Sequence, residues 1–192
     1  MAQAQPRLSP DEYLALDREA EIRSEFLDGE MFAMSGASLT HNSICVDVIG
    51  SLLAQLRGSG CQVFSQDLRV QISETGLYAY PDVLVVCGEP ELVDDDHFDT
   101  LLNPALLVEV LSPSTEAWDR GGKFAHYRTL ESLRGYVLVS QDRPLVEVYG
   151  RDGDAWILRA ADRLEQSVEL PGIDAGLKLA EIYERVDFET AG

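Results

Sequence analysis

Apolar side chains recur along the chain with two different periods, and the longer period marks one clear helix. Residues 41–57 are predicted to be helical, because Ile44, Val48, Leu52 and Leu56 recur every four residues on one face. Gly58 and the glycine two positions later end the pattern.

Two near-continuous apolar runs are predicted to be central strands, at residues 82–87 and 105–111. Runs of this kind are typical of strands that are covered on both faces. Alternating apolar positions predict a long strand at residues 62–72, and residues 136–139 indicate a further buried strand. An acidic connection, residues 89–99, joins the two central runs.

The two ends of the chain carry hairpin signals. Asp28-Gly29 separates short runs at residues 23–27 and 30–34, and Asp152-Gly153 separates runs at residues 145–149 and 156–159. Further helices are predicted after a Ser9 cap, over residues 117–130 and near residues 177–186. We therefore predict one α/β domain over residues 1–192, with a central mixed sheet, flanking helices and added β-hairpins at both ends.

Composition narrows the function classes. The net charge is −19, from 34 acidic and 15 basic residues, which favours solubility and opposes tight, non-specific binding of nucleic acid. No uncharged run reaches the length of about 18 residues that a membrane span needs, and the first residues lack a signal pattern. We expect a cytoplasmic protein. Cys45, Cys61 and Cys87 show no zinc-ligand spacing, so reduced core thiols are expected.

Two acidic residues stand where charge is costly. Asp82 follows Pro81 at the start of one apolar run, and Glu109 interrupts the other. A buried carboxylate needs a partner or a metal, and two of them on neighbouring strands favour a hard cation such as Mg²⁺ or Mn²⁺. The alternative is that each acid makes a salt bridge or a strand-end hydrogen bond.

Lys123 lies in the predicted helix that follows the Glu109 strand, and Lys178 is the only other lysine of the chain. A helix packed on that strand can direct Lys123 toward the two carboxylates. An ammonium there would orient water and stabilise a developing oxyanion. The alternative is a solvated lysine on the outer face of the helix.

The strings YPDVLVV, LLVEVLSPST and DRGGKFAHYRTLESLRGYVLVS together resemble the PD-(D/E)xK, or restriction-endonuclease-like, superfamily. Within it, the chain is similar to the Uma family of restriction-endonuclease-like proteins, from about residue 9 to residue 186. The resemblance implies a restriction-endonuclease-like core and a Mg²⁺- or Mn²⁺-dependent endonuclease that hydrolyses phosphodiester bonds in DNA.

The resemblance also implies roles for single residues. Asp82 and Glu109 would bind the metal, with the backbone carbonyl of Val110 as an extra ligand. The superfamily's usual lysine position is Leu111 here, and the Uma family's lysine on the following helix matches Lys123. Glu30 and His41 fall at recurring polar positions of the family. Glu30 would be a further metal-site acid or a hydrogen-bond anchor. His41 would bind a phosphate or steer the general base; the alternative is a helix cap or a packing residue.

A second hypothesis is that the protein has the nuclease fold but no catalytic activity. With an acidic balance this strong, DNA binding should be weak unless arginines gather on one face; the candidates are Arg57, Arg69, Arg120 and Arg128. A non-catalytic binding or scaffold protein on a nuclease fold, built as a homodimer through the hairpins, is the alternative to the nuclease. Retention of both acids and the lysine favours the nuclease.

Overall fold

The helices of the chain are few and mostly short. The computed structural model describes residues 7–34, 36–93 and 96–188. Its helices are α1 (Pro10–Glu19), α2 (Leu39–Gln55), α3 (Phe124–Tyr127) and α4 (Leu179–Ile182), and a π-helical turn, Trp118–Lys123, leads directly into α3. Ser9 caps α1 in a capping box with Glu12, as the sequence predicts.

Thirteen strands form three sheets within the described ranges. They are β1 (Ser24–Leu27), β2 (Glu30–Ala33), β3 (Cys61–Ser65), β4 (Arg69–Ile72), β5 (Leu77–Ala79), β6 (Val83–Cys87), β7 (Thr100–Leu101), β8 (Leu106–Leu111), β9 (Gly135–Ser140), β10 (Val146–Asp152), β11 (Ala155–Ala161), β12 (Ser167–Glu169) and β13 (Gly176–Lys178).

The largest sheet has the order β11-β10-β9-β8-β6-β3. The β8–β9 pair is parallel and the other pairs are antiparallel, so the sheet is mixed, as predicted. Strands β6 and β8, which carry the apolar runs, lie side by side at its centre. Every residue of β8 and β9 is buried, which explains their unbroken apolar sequence.

The two faces of this sheet are covered differently. Helix α2 packs Ile44, Val48 and Leu52 on one face, together with residues of α4. The opposite face packs on the five-stranded sheet β2-β1-β5-β4-β7 and on Tyr127 of α3. The predicted N-terminal hairpin therefore exists, but it belongs to a second sheet that the sequence pattern does not reveal.

Three predicted elements differ from the observed ones. Residues 62–72 form two strands in different sheets, because the polar stretch Ser65-Gln66-Asp67 turns between β3 and β4. The helix predicted over 117–130 is the π-helical turn followed by one turn of α-helix. The last predicted helix begins later, since Leu177 pairs with Val168 in the β12–β13 ladder.

The prediction of reduced thiols is wrong for two of the three cysteines. Cys61 and Cys87 are partners in the antiparallel β3–β6 ladder and form a disulfide. The pairing depends on strand register, which spacing along the chain does not encode. Cys45, on α2, is a buried free thiol, as expected. Within the described ranges, every helix is too short or too polar to traverse a lipid bilayer.

Candidate active site

Asp82 and Glu109 lie opposite each other on paired strands. Val83 of β6 is the partner of Val108 in β8, and Leu84 is the partner of Leu107. Continued by one residue, this antiparallel register sets Asp82 against Glu109. Facing residues of an antiparallel pair project from the same side of the sheet, so both carboxylates point to one face at the end of the strand pair.

Asp82 is held by hydrogen bonds through one of its two oxygens. The backbone N–H of Val110 donates to Asp82 Oδ2 at 2.7 Å, and His41 Nε2 lies 3.2 Å from the same oxygen. Pro81 precedes it at a point where no ladder donor is needed. Both of these contacts, from described residues, use Oδ2 and not Oδ1.

Glu109 is almost completely buried, with 4% of its surface exposed. Tyr127 OH donates to Glu109 Oε1 at 3.0 Å, and Lys123 Nζ lies 3.1 Å from that oxygen. Burial raises the pKa of Glu109 well above its ordinary value, with Asp119 and Asp82 adding to the rise and Lys123 opposing it. Tyr127 thus contacts the acid directly, where sequence favours a packing role.

Lys123 is the centre of a buried ion-pair cluster. Its Nζ lies 2.8 Å from Glu25 Oε1, 3.1 Å from Glu109 Oε1 and 3.4 Å from Asp119 Oδ1. Burial works against the charged ammonium, but the three carboxylates outweigh it and raise the pKa of Lys123 well above its ordinary value. The lysine therefore stays protonated at neutral pH, on the inner side of the π-helical turn.

Two further acids of this cluster, Glu25 and Asp119, were not predicted from the sequence. Glu25 lies on β1, where polar and apolar positions alternate, so its charge gives no signal of a site. Asp119 stands four residues before Lys123, a spacing that brings helical side chains together and is the one signal the sequence offers. Asp119 Oδ1 is buried, and in the part of the chain that the structure describes its contact with Lys123 Nζ at 3.4 Å is an ion pair without hydrogen-bond geometry.

The structure separates two other residues that the sequence singled out: His41 lies beside Asp82, and Glu30 lies outside the cavity. His41, in the first turn of α2, lies between Asp82 and Cys45, whose Sγ is 3.6 Å from His41 Nδ1. Burial lowers the pKa of His41, but hydrogen bonding and charge from Asp82 raise it above its ordinary value overall. Glu30, on the edge strand β2, is exposed and does not line the cavity that contains the other acids.

A cavity of about 680 Å³ opens onto the cluster. Its lining residues include Glu25, His41, Asp82, Glu109, Val110, Asp119 and Lys123. Four carboxylates against one ammonium leave an excess of negative charge in a buried place. Carboxylate oxygens are the ligands that Mg²⁺ and Mn²⁺ prefer, so the donor set fits a hard divalent cation.

A second set of potential metal ligands overlaps this site. One ligand atom each from His41, Cys45 and Asp82 lies within 4.8 Å of the others. A thiolate suits softer metals than Mg²⁺, and burial raises the pKa of Cys45, which opposes thiolate formation. The carboxylate set on the cavity side of Asp82 is therefore the better site for a hard cation.

The chain is similar in sequence to a known family and to two bacterial proteins. The family model described as Uma2, putative restriction endonuclease, matches residues 10–181. Two uncharacterized proteins of Synechocystis sp. are similar: slr1290 is 42% identical over 164 residues, covering 83% of this chain and 85% of that protein, and sll1609 is 36% identical over 152 residues, covering 79% and 85%.

The fold has a counterpart among solved structures. The crystal structure of a putative nuclease belonging to DUF820 from Anabaena variabilis superposes with a TM-score of 0.73 at 18% sequence identity. The match covers 91% of this chain and 96% of that one, so the α/β nuclease-like fold is shared over almost the whole length. On the family match and the two Synechocystis relatives, the chain belongs to the Uma2 family of putative restriction endonucleases.

Proposed function

We propose that this protein is a Mg²⁺- or Mn²⁺-dependent endonuclease that hydrolyses phosphodiester bonds in DNA and works in the cytoplasm. The supporting observation is the buried pairing of Lys123 with Glu109, 3.1 Å apart, on the face where Asp82 also projects. Membership of the Uma2 family supports the same chemistry.

Asp82, Glu109 and the backbone carbonyl of Val110 would hold the cation, since all three line one cavity. When bound, a divalent ion there activates water and stabilises charge on a phosphoryl oxygen. His41 and the Val110 N–H fix the Asp82 carboxylate through Oδ2, and Tyr127 fixes Glu109 through Oε1. These contacts keep the two acids oriented before any ligand arrives.

Lys123 supplies positive charge where negative charge develops. It is held by Glu25, Glu109 and Asp119, so its position depends on the cluster and not on solvent. The Lys123 ammonium would stabilise negative charge on the phosphate oxygens during hydrolysis, beside the carboxylates that would hold the cation. Fixed charge of this kind is worth more in a buried site than in water.

The test is a cleavage screen with single-stranded, double-stranded and branched DNA, in Mg²⁺ and in Mn²⁺. Asp82→Asn should lower the cleavage rate at least about 100-fold, because it removes a charged ligand of the cation. The variant should still unfold cooperatively, since an asparagine oxygen can accept the Val110 hydrogen bond.

Glu30→Gln is the matched control, because Glu30 is an acid outside the cavity. It should cleave as the unmodified protein does. Cleavage that persists in Asp82→Asn would contradict the proposal, and the complete absence of metal-dependent cleavage with all three DNA forms would favour the non-catalytic binding protein instead.

A further inference from the structure

The cavity that contains the acid cluster has an apolar, partly aromatic wall. Phe32, Met34 and Trp118 line it together with the charged residues. Phe32 lies on β2, at the edge of the five-stranded sheet, and half of its surface is exposed. A cavity lined by apolar and aromatic side chains beside a few charged groups is typical of ligand-binding sites.

The indole of Trp118 is fixed by the same turn that positions the charged residues. A Cβ atom on Gly122 would lie 1.9 Å from Cζ3 of Trp118, so only glycine lets the ring lie against this turn. The ring centre is 5.9 Å from that of His126. The π-helical turn therefore presents an aromatic surface and the Asp119–Lys123 ion pair to one cavity.

Positive charge is scarce at this cavity. Among the described residues that line it, Lys123 is the one lysine or arginine, and it is paired with three carboxylates. A double helix presents two rows of phosphates and hides its base faces, so it needs the cations that this cavity lacks. An unpaired strand also carries phosphates, but its exposed base faces stack on aromatic side chains, and this stacking adds affinity that a duplex cannot gain here.

We propose that the nucleic acid recognised here is single-stranded or locally unpaired, with one unstacked base seated against Phe32 and Trp118 and the adjoining phosphate at the acid cluster. The inference rests on the proposed function and names its substrate class. A cavity of about 680 Å³ falls in the range of sites that hold one small ligand, about 300–1,000 Å³. It is therefore sized for a single nucleotide unit.

The test is binding, measured by fluorescence anisotropy with Ca²⁺ in place of Mg²⁺. Three fluorescein-labelled probes are compared: a ten-nucleotide oligothymidine, an abasic strand of equal length, and a duplex of equal length. The oligothymidine should bind about tenfold more tightly than the other two, because only it offers base faces for stacking. Phe32→Ala should lower its affinity about tenfold, and Phe32→Trp should keep it.

Leu53→Ala is the control, since Leu53 is as exposed as Phe32, 50% in both cases, and lies outside the cavity. It should leave binding unchanged. Equal affinity for the abasic strand or the duplex, an unchanged affinity in Phe32→Ala, or no binding of any probe overturns the proposal. Base-dependent binding without cleavage in Mg²⁺ would refute the nuclease alone, and duplex cleavage without base-dependent binding would refute this inference alone.

Discussion

Among single residues, Lys123 should contribute strongly to stability, because three carboxylates pair with it. Its side chain is 7% exposed and pairs with Glu25, Glu109 and Asp119. Lys123→Met leaves these acids without a counter-charge, and removing one partner from a buried pair costs about 3–5 kcal/mol. We expect that loss in the free energy of unfolding at pH 7, measured by urea denaturation without metal.

Lys178→Met is the control for this experiment, since Lys178 is the other lysine and pairs with Glu181 on the surface. It should change stability by less than about 1 kcal/mol. Adding Glu109→Gln to Lys123→Met should recover part of the loss, because one buried charge is removed. Equal stability of Lys123→Met and Lys178→Met would show that the cluster is not a coupled unit.

The candidate site could be predicted from the sequence only where charge interrupts an apolar pattern. Glu109 and Asp82 stand out because they break or begin buried strands. Lys123 could be proposed because lysines are rare in this chain and its predicted helix follows the Glu109 strand, but the helical pattern alone also allowed a solvated lysine on the outer face. Glu25 could not be found, because on an alternating strand an acid looks like any outward-facing residue, and the second sheet that turns it inward is a long-range contact.

Among the elements, α1, β4 and the segment before β7 are joined by one buried arginine. Arg69, with 1% of its surface exposed, donates to Asp17 Oδ2 at 2.9 Å, to Asp99 Oδ1 at 3.1 Å and to Tyr80 OH at 2.8 Å. Tyr80 OH in turn donates to Asp17 Oδ2 at 2.5 Å. The network fixes Tyr80, two residues before Asp82. Through Tyr80, Arg69 of the five-stranded sheet helps to hold Asp82 in place.

This network should make stability depend on pH. Hydrogen bonding from Arg18, with the charge of Arg69, holds the pKa of Asp99 below its ordinary value against the effect of burial. A lowered folded-state pKa gives stability that is complete above the unfolded value of about 3.9 and is lost as pH falls below it. Asp99→Asn should therefore lower the free energy of unfolding by about 1 kcal/mol at pH 7. Between about pH 5 and about pH 2, the variant should lose less stability than the unmodified protein.

Thermal unfolding across that pH range measures the effect, with Glu181→Gln as a control acid at the surface. The control should follow the unmodified protein. An Asp99→Asn curve parallel to that of the unmodified protein would mean that the network does not couple folding to Asp99.

Element types were predictable where one period dominates, as in α2, or where an apolar run is unbroken, as in β6 and β8. The predictions failed where local chemistry overrides the pattern. The alternating pattern of residues 62–72 continues through Gln66 and Asp67, yet these polar residues turn the chain into another sheet. Gly121 and Gly122 disfavour a regular helix, and the π-helical turn found there places Trp118 against Gly122. Turns of this kind often occur at functional sites.

For the whole molecule, the net charge of −19 opposes the binding of nucleic acid. Ion pairs within the chain further reduce the number of arginines that can contact phosphates. Two of the arginines proposed from sequence to gather on a face are already engaged: Arg69 is buried with Asp17 and Asp99, and Arg120 contacts Glu116 and Glu147. Arg185 likewise pairs with Asp47. These guanidinium groups do not form a free basic surface.

The affinity for DNA should therefore depend only weakly on salt. Each neutralised phosphate of a single strand contributes about −0.7 to the slope of log K against log salt concentration, so two or three contacts predict a slope of about −2. Anisotropy titrations of the oligothymidine over a range of salt concentrations measure it. Arg120→Gln should leave the slope unchanged, because both neighbours of this guanidinium are carboxylates of the same chain. A slope steeper than about −5 would require a basic surface of roughly seven phosphate contacts, which would contradict both the charge argument and the choice of an unpaired strand as substrate.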